Sequence, residues 1–245
     1  MKRIMLKVAY DGTNYHGWQI QSNGETIEGV LNRCLSELFQ EKIEVIGASR
    51  TDSGVHAREN IAVFDTVSQI PPKKVANALN ARLPEDIRIQ DSEEVSTDFH
   101  PRKCSSRKVY EYRIYNATFS MPTERLYSYF TYVPLDVERM QEAAAYFIGT
   151  HDFKSFCSVD TQAESTVRQV DGLEVRKDGN LITIRVSGRG FLYNMVRIMA
   201  GTLMEVGRGR LEPADIARIL EAKDRSAAGP TAPACGLTLI KYEFL

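Results

Sequence analysis

The sequence has 245 residues, of which 43% are hydrophobic and 26% are charged, as in an ordinary globular protein with a sizeable core. Its 31 basic and 32 acidic side chains leave a net charge of -1, so a nucleic-acid partner can be inferred only from local clusters of charge. The composition does not indicate a membrane protein. The first residues carry charge within an apolar run and have no cleavage site of a signal peptide, so we expect a cytoplasmic location.

Neither the cysteines nor the histidines show the spacing of a metal site or of a disulfide framework, so neither is expected. These residues are Cys34, Cys104, Cys157, Cys235, His16, His56, His100 and His151.

Apolar residues at alternate positions from residue 4 to residue 10 predict a first strand, which ends at Asp11-Gly12-Thr13. A strand followed by these three residues resembles the phosphatase pattern D-x-D-G-T, in which the first Asp attacks phosphorus. Ala9 stands in that place here, so a phosphotransferase that uses Asp11 is kept only as an alternative. Trp18, a little further on, is expected in the core rather than stacked on a base.

A helix is predicted over residues 26–40 by the helical spacing of apolar side chains, and a strand over residues 43–46 by a short apolar run. The polar stretch at residues 47–58 then predicts an irregular loop at a strand end, which is where functional residues concentrate.

Asp52 lies in the middle of this loop. Arg50 precedes it by two residues and points to the same side if the backbone is extended, while Thr51, Ser53 and the Gly54 amide can donate hydrogen bonds to the carboxylate. Such contacts would keep the carboxylate ionised and oriented. The alternative is an Asx-turn in which Asp52 caps its own loop.

The rest of the first hundred residues alternates in the same way. A strand is predicted at residues 61–64, a helix from Pro71, and two further strands at residues 87–89 and 96–99. The order strand, helix, strand, strand, helix, strand is that of a ferredoxin-like unit. We therefore predict an α/β (α+β) fold with one such half in residues 1–103 and a second half in residues 104–245.

The second half begins with a strand of period two at residues 106–116, which places Tyr110 and Tyr112 on one face. Arg107 and Lys108 belong to a cluster of five bases and one acid between residues 102 and 113. Tyrosines beside basic side chains can stack on a base and hold phosphates, although alternating aromatic residues are also common in sheet cores.

Further along, a helix is predicted from Asp136, its N-cap, and His151-Asp152 is interpreted as structural because no nucleophile elbow accompanies it. The polar residues 160–166 are predicted to form a loop that contacts RNA, and a hairpin is predicted to turn at residues 177–180.

A helix predicted over residues 191–206 carries Arg197 away from its apolar side, where the simplest interpretation is a solvated charge. The last strand, at residues 238–244, is predicted to close the second half.

Motifs spread along almost the whole chain resemble those of the TruA family of tRNA pseudouridine synthases. They are YDGTNYHGWQ at 10–19, ASRTDSGVHA at 48–57, KVYEY at 108–112, GTHDFKSF at 149–156, MVR at 195–197 and APACGL at 232–237. In the second motif, Ser49 and Ser53 replace the Gly and Ala of the usual G-R-T-D-A-G-V-H.

The resemblance implies isomerisation of uridine to pseudouridine at positions 38, 39 and/or 40 of the anticodon stem-loop of tRNA. It also implies two ferredoxin-like halves joined into one extended, mostly antiparallel sheet with flanking helices, a central cleft between the halves, and a homodimer. The reaction needs no metal and no cofactor. A non-catalytic RNA-binding module is the alternative.

The resemblance also implies roles for single residues. Asp52 is the catalytic nucleophile, and attack at C1′, attack at C6 and removal of the 2′ proton all remain open. Arg197 pairs with Asp52, and Tyr110 stacks on the target base and removes the C5 proton. The other expected substrate-binding residues are Leu237, which lines the base pocket, Arg50, which fills the space that the base leaves, and Arg107 and Lys108 of the basic cluster.

Overall fold

A computed structural model of the chain describes residues 1–159 and 163–245. Residues 160–162, which belong to the predicted RNA-contacting loop, lie outside the described residues. The described residues form a mixed α/β protein with ten strands, mostly antiparallel, and five α-helices. They divide into two compact units: residues 1–105 together with 239–245, here called unit 1, and residues 106–238, here called unit 2.

The elements follow one another with short connections. Up to residue 105 they are β1 (Lys2–Tyr10), α1 (Ile27–Phe39), β2 (Ile46–Gly47), β3 (His56–Thr66), α2 (Val75–Asn80) and β4 (Ile87–Val95). From residue 106 they are β5 (Ser106–Asn116), β6 (Tyr129–Thr131), α3 (Val137–Ala144), β7 (Gly149–Asp152), β8 (Val167–Asp178), β9 (Leu181–Gly188), α4 (Met195–Gly207), α5 (Asp215–Ala222) and β10 (Leu237–Phe244).

In unit 1 the strands lie in the order β4-β1-β3-β10, and the short β2 pairs with β3. β1 is antiparallel to both of its neighbours, with Ile4 opposite Phe64 of β3. The apolar side of α1 is buried, and its Phe39 ring lies 5.5 Å from the ring of Phe64. The main core of unit 1 therefore lies between α1 and the sheet.

The limits of α1 agree with the prediction, and local chemistry explains both ends. The Thr26 side chain accepts a hydrogen bond from the Gly29 amide at 3.2 Å, as an N-cap should. Gln40 adopts a left-handed conformation with φ 55°, which stops the helix.

Two strand predictions in unit 1 were wrong. Residues 43–45 form no strand because side chains of α1 take their amides: Ile43 donates to Ser36 Oγ and Val45 donates to Asn32 Oδ1. Residues 96–99 form a turn after β4, closed by the Phe99 amide on the Ser96 carbonyl at 3.0 Å.

In unit 2 the strands lie in the order β5-β9-β8-β7, and β6 runs parallel to β5. β8 and β9 form the predicted hairpin, which turns through Gly179 at φ 55°. Asp136 caps α3 through a bond from the Arg139 amide, as predicted. The core of this unit includes the buried side chains of β5 and most of α4.

α4 begins later than predicted. Residues 191–194 are irregular, and Asn194 has a left-handed conformation with φ 60°, so regular helix starts only at Met195. A non-glycine residue in that region of backbone space cannot continue a right-handed helix.

Residues 239–245 group with unit 1, whereas the sequence suggested that the last strand closes the second half. Tyr242 of β10 packs in a core cluster with Met5, Ile61 and Val63, and its hydroxyl donates to the Pro101 carbonyl at 2.8 Å. β10 is thus anchored in unit 1 by apolar burial and by a buried hydrogen bond.

Candidate active site

The loop that carries Asp52 connects β2 to β3 in unit 1. Asp52 is half-buried, and its carbonyl accepts the Val55 amide at 3.1 Å, which closes a tight turn through Gly54 at φ 76°. Arg50, two residues earlier, is exposed. The short turn therefore fixes the backbone position from which the Asp52 side chain projects.

A second segment, residues 11–18, is hydrogen-bonded to this turn. The Trp18 amide donates to the Thr51 carbonyl at 3.0 Å, and the Gly54 amide and the Ser53 hydroxyl both donate to the Tyr15 carbonyl at 3.3 and 3.2 Å. The prediction that Ser53 and Gly54 donate to the Asp52 carboxylate is therefore wrong. They connect the turn to residues 11–18 instead.

Thr51 was also expected to donate to the Asp52 carboxylate. Its hydroxyl lies 2.8 Å from the Tyr10 hydroxyl, and the pair is buried. Thr51 thus connects the loop to the end of β1.

Two glycines allow the close approach of residues 11–18 to the Asp52 turn. A Cβ on Gly12 would lie 2.0 Å from the Val55 carbonyl oxygen, and one on Gly17 would lie 2.5 Å from the Thr51 carbonyl oxygen. Gly17 also has φ 82°, which side-chain-bearing residues rarely adopt. The motif at residues 10–19 therefore packs against the Asp52 turn.

Asp11 sits at the start of the same segment. Its Oδ1 accepts the Thr13 amide at 3.0 Å and the Thr13 hydroxyl at 2.6 Å, and lies 3.1 Å from His56 Nδ1. The carboxylate closes its own turn in the manner of an Asx-turn. This arrangement is structural and gives no support to the phosphotransferase alternative.

Trp18 is 1% exposed, and its ring lies 5.9 Å from that of Tyr10. Its predicted place in the core is confirmed. Gly47, at the end of β2, packs directly against the Trp18 ring.

In unit 2, Tyr110 lies in β5 opposite Val186 of β9 and is 7% exposed. Its ring meets Phe191 edge to face, with centroids 5.3 Å apart and planes at 85°. This contact restricts rotation of the tyrosine ring. Arg107 and Lys108 are half-buried and come just before it in the same strand.

Arg197 lies in the first turn of α4. Its Nε donates to the Ala232 carbonyl and its Nη1 to Asn194 Oδ1, both at 2.8 Å, while the Ala232 amide donates back to the Arg197 carbonyl at 3.1 Å. Both acceptors are neutral, so these contacts orient the guanidinium without cancelling its charge. The expectation of a merely solvated charge is not met.

The segment from Ala232 leads through a short 3-10 turn to Leu237, which is 5% exposed. The Tyr112 hydroxyl donates to the Pro233 carbonyl at 2.9 Å, and burial raises the pKa of Tyr112 above its ordinary value, so this donor stays protonated. Leu237 therefore follows a segment that side chains of β5 and α4 hold in place.

Comparison with known proteins identifies the family. Residues 7–102 and 143–244 match the sequence model of a family described as tRNA pseudouridine synthase. A tRNA pseudouridine synthase A of Ruminiclostridium cellulolyticum is 49% identical over 245 residues, which is 100% of both chains. One of Thermoanaerobacter sp. is 46% identical over 241 residues, covering 98% of this chain and 99% of the relative. The chain belongs to the tRNA pseudouridine synthase A (TruA) family. The resemblance seen in the motifs is confirmed.

Two of the residues that the TruA resemblance singles out, Arg50 and Asp52, share one loop of unit 1. The remainder, Tyr110, Arg197, Leu237, Arg107 and Lys108, belong to unit 2.

Sequence reasoning missed the side chains that hold the loop carrying Asp52, above all Asn60, which bonds both backbone groups of Ser49. Asn60 is a polar residue next to the apolar run at residues 61–64, and that contrast was the available signal.

Among the residues that the structure describes, no three His, Cys, Asp or Glu side chains come together in a way that could hold a metal ion. None of the described helices is both long enough and apolar enough to span a lipid bilayer.

Proposed function

We propose that the chain isomerises uridine to pseudouridine at positions 38, 39 and/or 40 of the tRNA anticodon stem-loop. Pseudouridine synthase activity on tRNA, an isomerase activity, follows from membership of the family. The observation that supports the narrower proposal is the full-length similarity to tRNA pseudouridine synthases A. It is combined with the run Arg50-Thr51-Asp52, which lies in a turn hydrogen-bonded to residues 11–18.

Asp52 is the proposed nucleophile. The target base is stacked inside RNA and must be extruded, which costs a few kcal/mol that phosphate contacts and stacking in the pocket have to offset. Arg50, which is exposed on the same loop, fills the space that the base leaves. Asp52 then acts on the sugar or on the ring of the extruded uridine.

Tyr110, Arg197 and Leu237 complete the proposed site. Tyr110 stacks on the base and takes the C5 proton, a role supported by the edge-to-face contact that fixes its ring. Arg197 holds the Asp52 carboxylate ionised, because an opposite charge favours the charged form. Leu237 contacts the base, and the bonds on Ala232 and Pro233 support a fixed position for it.

Tight tRNA binding requires a basic surface, since each neutralised phosphate releases counterions. Arg107 and Lys108, which precede Tyr110 in β5, are the proposed phosphate contacts. A homodimer in which one tRNA spans both subunits is part of the same proposal.

Both halves are proposed to be ferredoxin-like, with sheets that join and a cleft between them. In support, β1, α1, β2, β3, α2 and β4 follow the expected chain order, and β4-β1-β3-β2 are neighbours in antiparallel pairs. The chain order of β5, α3, β8, β9 and α4 follows the same sequence of strand, helix, strand, strand and helix.

The test is release of tritium from tRNA that carries 5-tritiated uridine, with wild type, Asp52→Asn and Asp98→Asn and no added metal. Asp52→Asn keeps the shape of the side chain and removes its charge, so it should release tritium more than about 10³-fold more slowly. Asp98→Asn removes an exposed carboxylate from the same unit and should match wild type.

Two results would contradict the proposal. Tight tRNA binding by the wild type with no tritium release would favour the non-catalytic RNA-binding module. Release by Asp52→Asn at the wild-type rate would exclude Asp52 as nucleophile.

A further inference from the structure

Asn60 is completely buried in β3, eight residues after Asp52 along the chain. A buried amide side chain destabilises a fold unless its donors and acceptor are satisfied. Its position in the strand therefore requires a set of specific partners.

Those partners are Ser49 in the loop that carries Asp52, Ile61 of β3 and Tyr10 of β1. Asn60 Oδ1 accepts the Ser49 amide at 3.3 Å and the Ile61 amide at 2.9 Å. Its Nδ2 donates to the Ser49 carbonyl at 2.9 Å and to the Tyr10 hydroxyl at 3.3 Å. One side chain thus bonds both backbone groups of Ser49.

The contact extends to Thr51 through Tyr10. Because the Tyr10 oxygen accepts from Asn60, its hydroxyl hydrogen is available to Thr51 Oγ1 at 2.8 Å. Burial raises the pKa of Tyr10 above its ordinary value, so this hydrogen stays in place. Ser49 and Thr51, the residues on either side of Arg50, are therefore both connected to Asn60.

We propose that Asn60 is a positioning residue of the isomerase. It fixes residues 49–51 and thereby the position and direction of the Asp52 side chain. The inference rests on the proposed function, because it assumes that Asp52 reacts with the substrate. Asn60 does not contact the tRNA in this proposal. It acts through its bonds to the Ser49 backbone and, by way of Tyr10, through the Thr51 hydroxyl.

Loss of these bonds should lower the rate of the chemical step and leave tRNA affinity nearly unchanged. A shift of about 1 Å at a reacting group lowers the rate by up to roughly 100-fold. tRNA binding is spread over many phosphate contacts and does not depend on the position of one carboxylate.

The chain offers a matched control in Asn80, the last residue of α2. Its Nδ2 donates to the Ile89 carbonyl and its Oδ1 accepts the Ile89 amide, both at 2.8 Å. Asn80 therefore makes the same two-way bond to one backbone residue of the same unit, but on β4 instead of the catalytic loop.

The experiment compares Asn60→Ala with Asn80→Ala by steady-state tritium release, tRNA binding and thermal unfolding. We expect both variants to lose stability. Asn60→Ala should lower kcat about 10- to 100-fold with KM and tRNA Kd within about 3-fold of wild type, and Asn80→Ala should keep the wild-type kcat.

Thr51→Val serves as a second variant that keeps the size of the side chain and removes only the hydroxyl bonded to Tyr10. It should lower kcat in the same direction, and it decides the question if Asn60→Ala fails to fold. Wild-type kcat in a folded Asn60→Ala, or in Thr51→Val where Asn60→Ala does not fold, would overturn the proposal, as would an equal loss of kcat in Asn80→Ala.

The proposed function can fail separately. If the wild type itself releases no tritium, the isomerase assignment fails and the positioning role with it. If the wild type is active and the loop variants are equally active, only the positioning role fails.

Discussion

Ser49 buries a hydroxyl group that has no hydrogen-bond partner among the described residues, although its backbone is held by Asn60. An unsatisfied buried hydroxyl costs about 1–3 kcal/mol. We therefore expect Ser49→Ala to raise the free energy of unfolding by about 1 kcal/mol, measured by urea denaturation.

Ser155 is the natural comparison because its hydroxyl is also buried but has hydrogen-bond partners both as donor and as acceptor. It donates to the Ile219 carbonyl at 2.6 Å and accepts the Asp224 amide at 2.9 Å. Ser155→Ala should lower the free energy of unfolding by about 1–3 kcal/mol. A loss of similar size in Ser49→Ala would show that its hydroxyl is satisfied in solution.

Single residues also mark the limit of what the sequence could predict about the site. The motif around Asp52 identified the loop correctly, and local spacing then suggested that Ser53 and Gly54 serve the carboxylate. Both instead bond Tyr15, which is distant in the chain. Spacing reports which side chains can be neighbours, whereas tertiary contacts decide which of them bond.

At the scale of elements, α4 packs closely against the segment that leads to Leu237. A Cβ added at Gly201 would lie 1.8 Å from the Pro230 carbonyl oxygen, a contact that backbone atoms cannot relieve locally. Gly201→Ala should therefore displace this segment, lowering stability by about 1–3 kcal/mol and slowing tritium release.

Gly172 in β8 provides the control for this substitution. The nearest atom to a Cβ there is Ser187 Oγ at 3.5 Å, an ordinary contact. Gly172→Ala should unfold near the wild-type temperature and keep its activity. If Gly201→Ala behaves in the same way, α4 and the segment are less tightly packed than the structure indicates.

The elements that the sequence predicted well are those with a local cause. α1 has its Thr26 cap, α3 has its Asp136 cap and the β8–β9 hairpin has Gly179. The strand predicted at residues 43–46 is absent at residues 43–45 because side chains of α1 accept from the amides of Ile43 and Val45. Ile43 and Val45 are buried, in keeping with their apolar side chains, but the apolar pattern could not reveal the partners of their amides.

At the scale of the whole molecule, charge is balanced, so tRNA affinity must come from local clusters. The double variant Arg107→Ala/Lys108→Ala should weaken tRNA binding for all sequences. It should also reduce the slope of log K against log salt by about 0.7–0.9 for each phosphate that the variant no longer neutralises.

Lys73 and Lys74 are exposed on unit 1 and carry the same summed charge. Lys73→Ala/Lys74→Ala should leave the salt slope unchanged, as measured by filter binding over a range of salt concentrations. Equal slopes for both double variants would remove Arg107 and Lys108 from the tRNA interface.

Unit 1 is discontinuous in the chain, because residues 239–245 follow all of unit 2. Tyr242 packs in a core cluster with Ala48, at the start of the loop that carries Asp52, and with Ile61 of β3, and the Leu245 amide donates to the Ser105 carbonyl. During translation, the ribosome must synthesise all of unit 2 before this core can close. The loop that carries Asp52 therefore gains its final support late in synthesis, so nascent chains should acquire activity only after β10 has emerged.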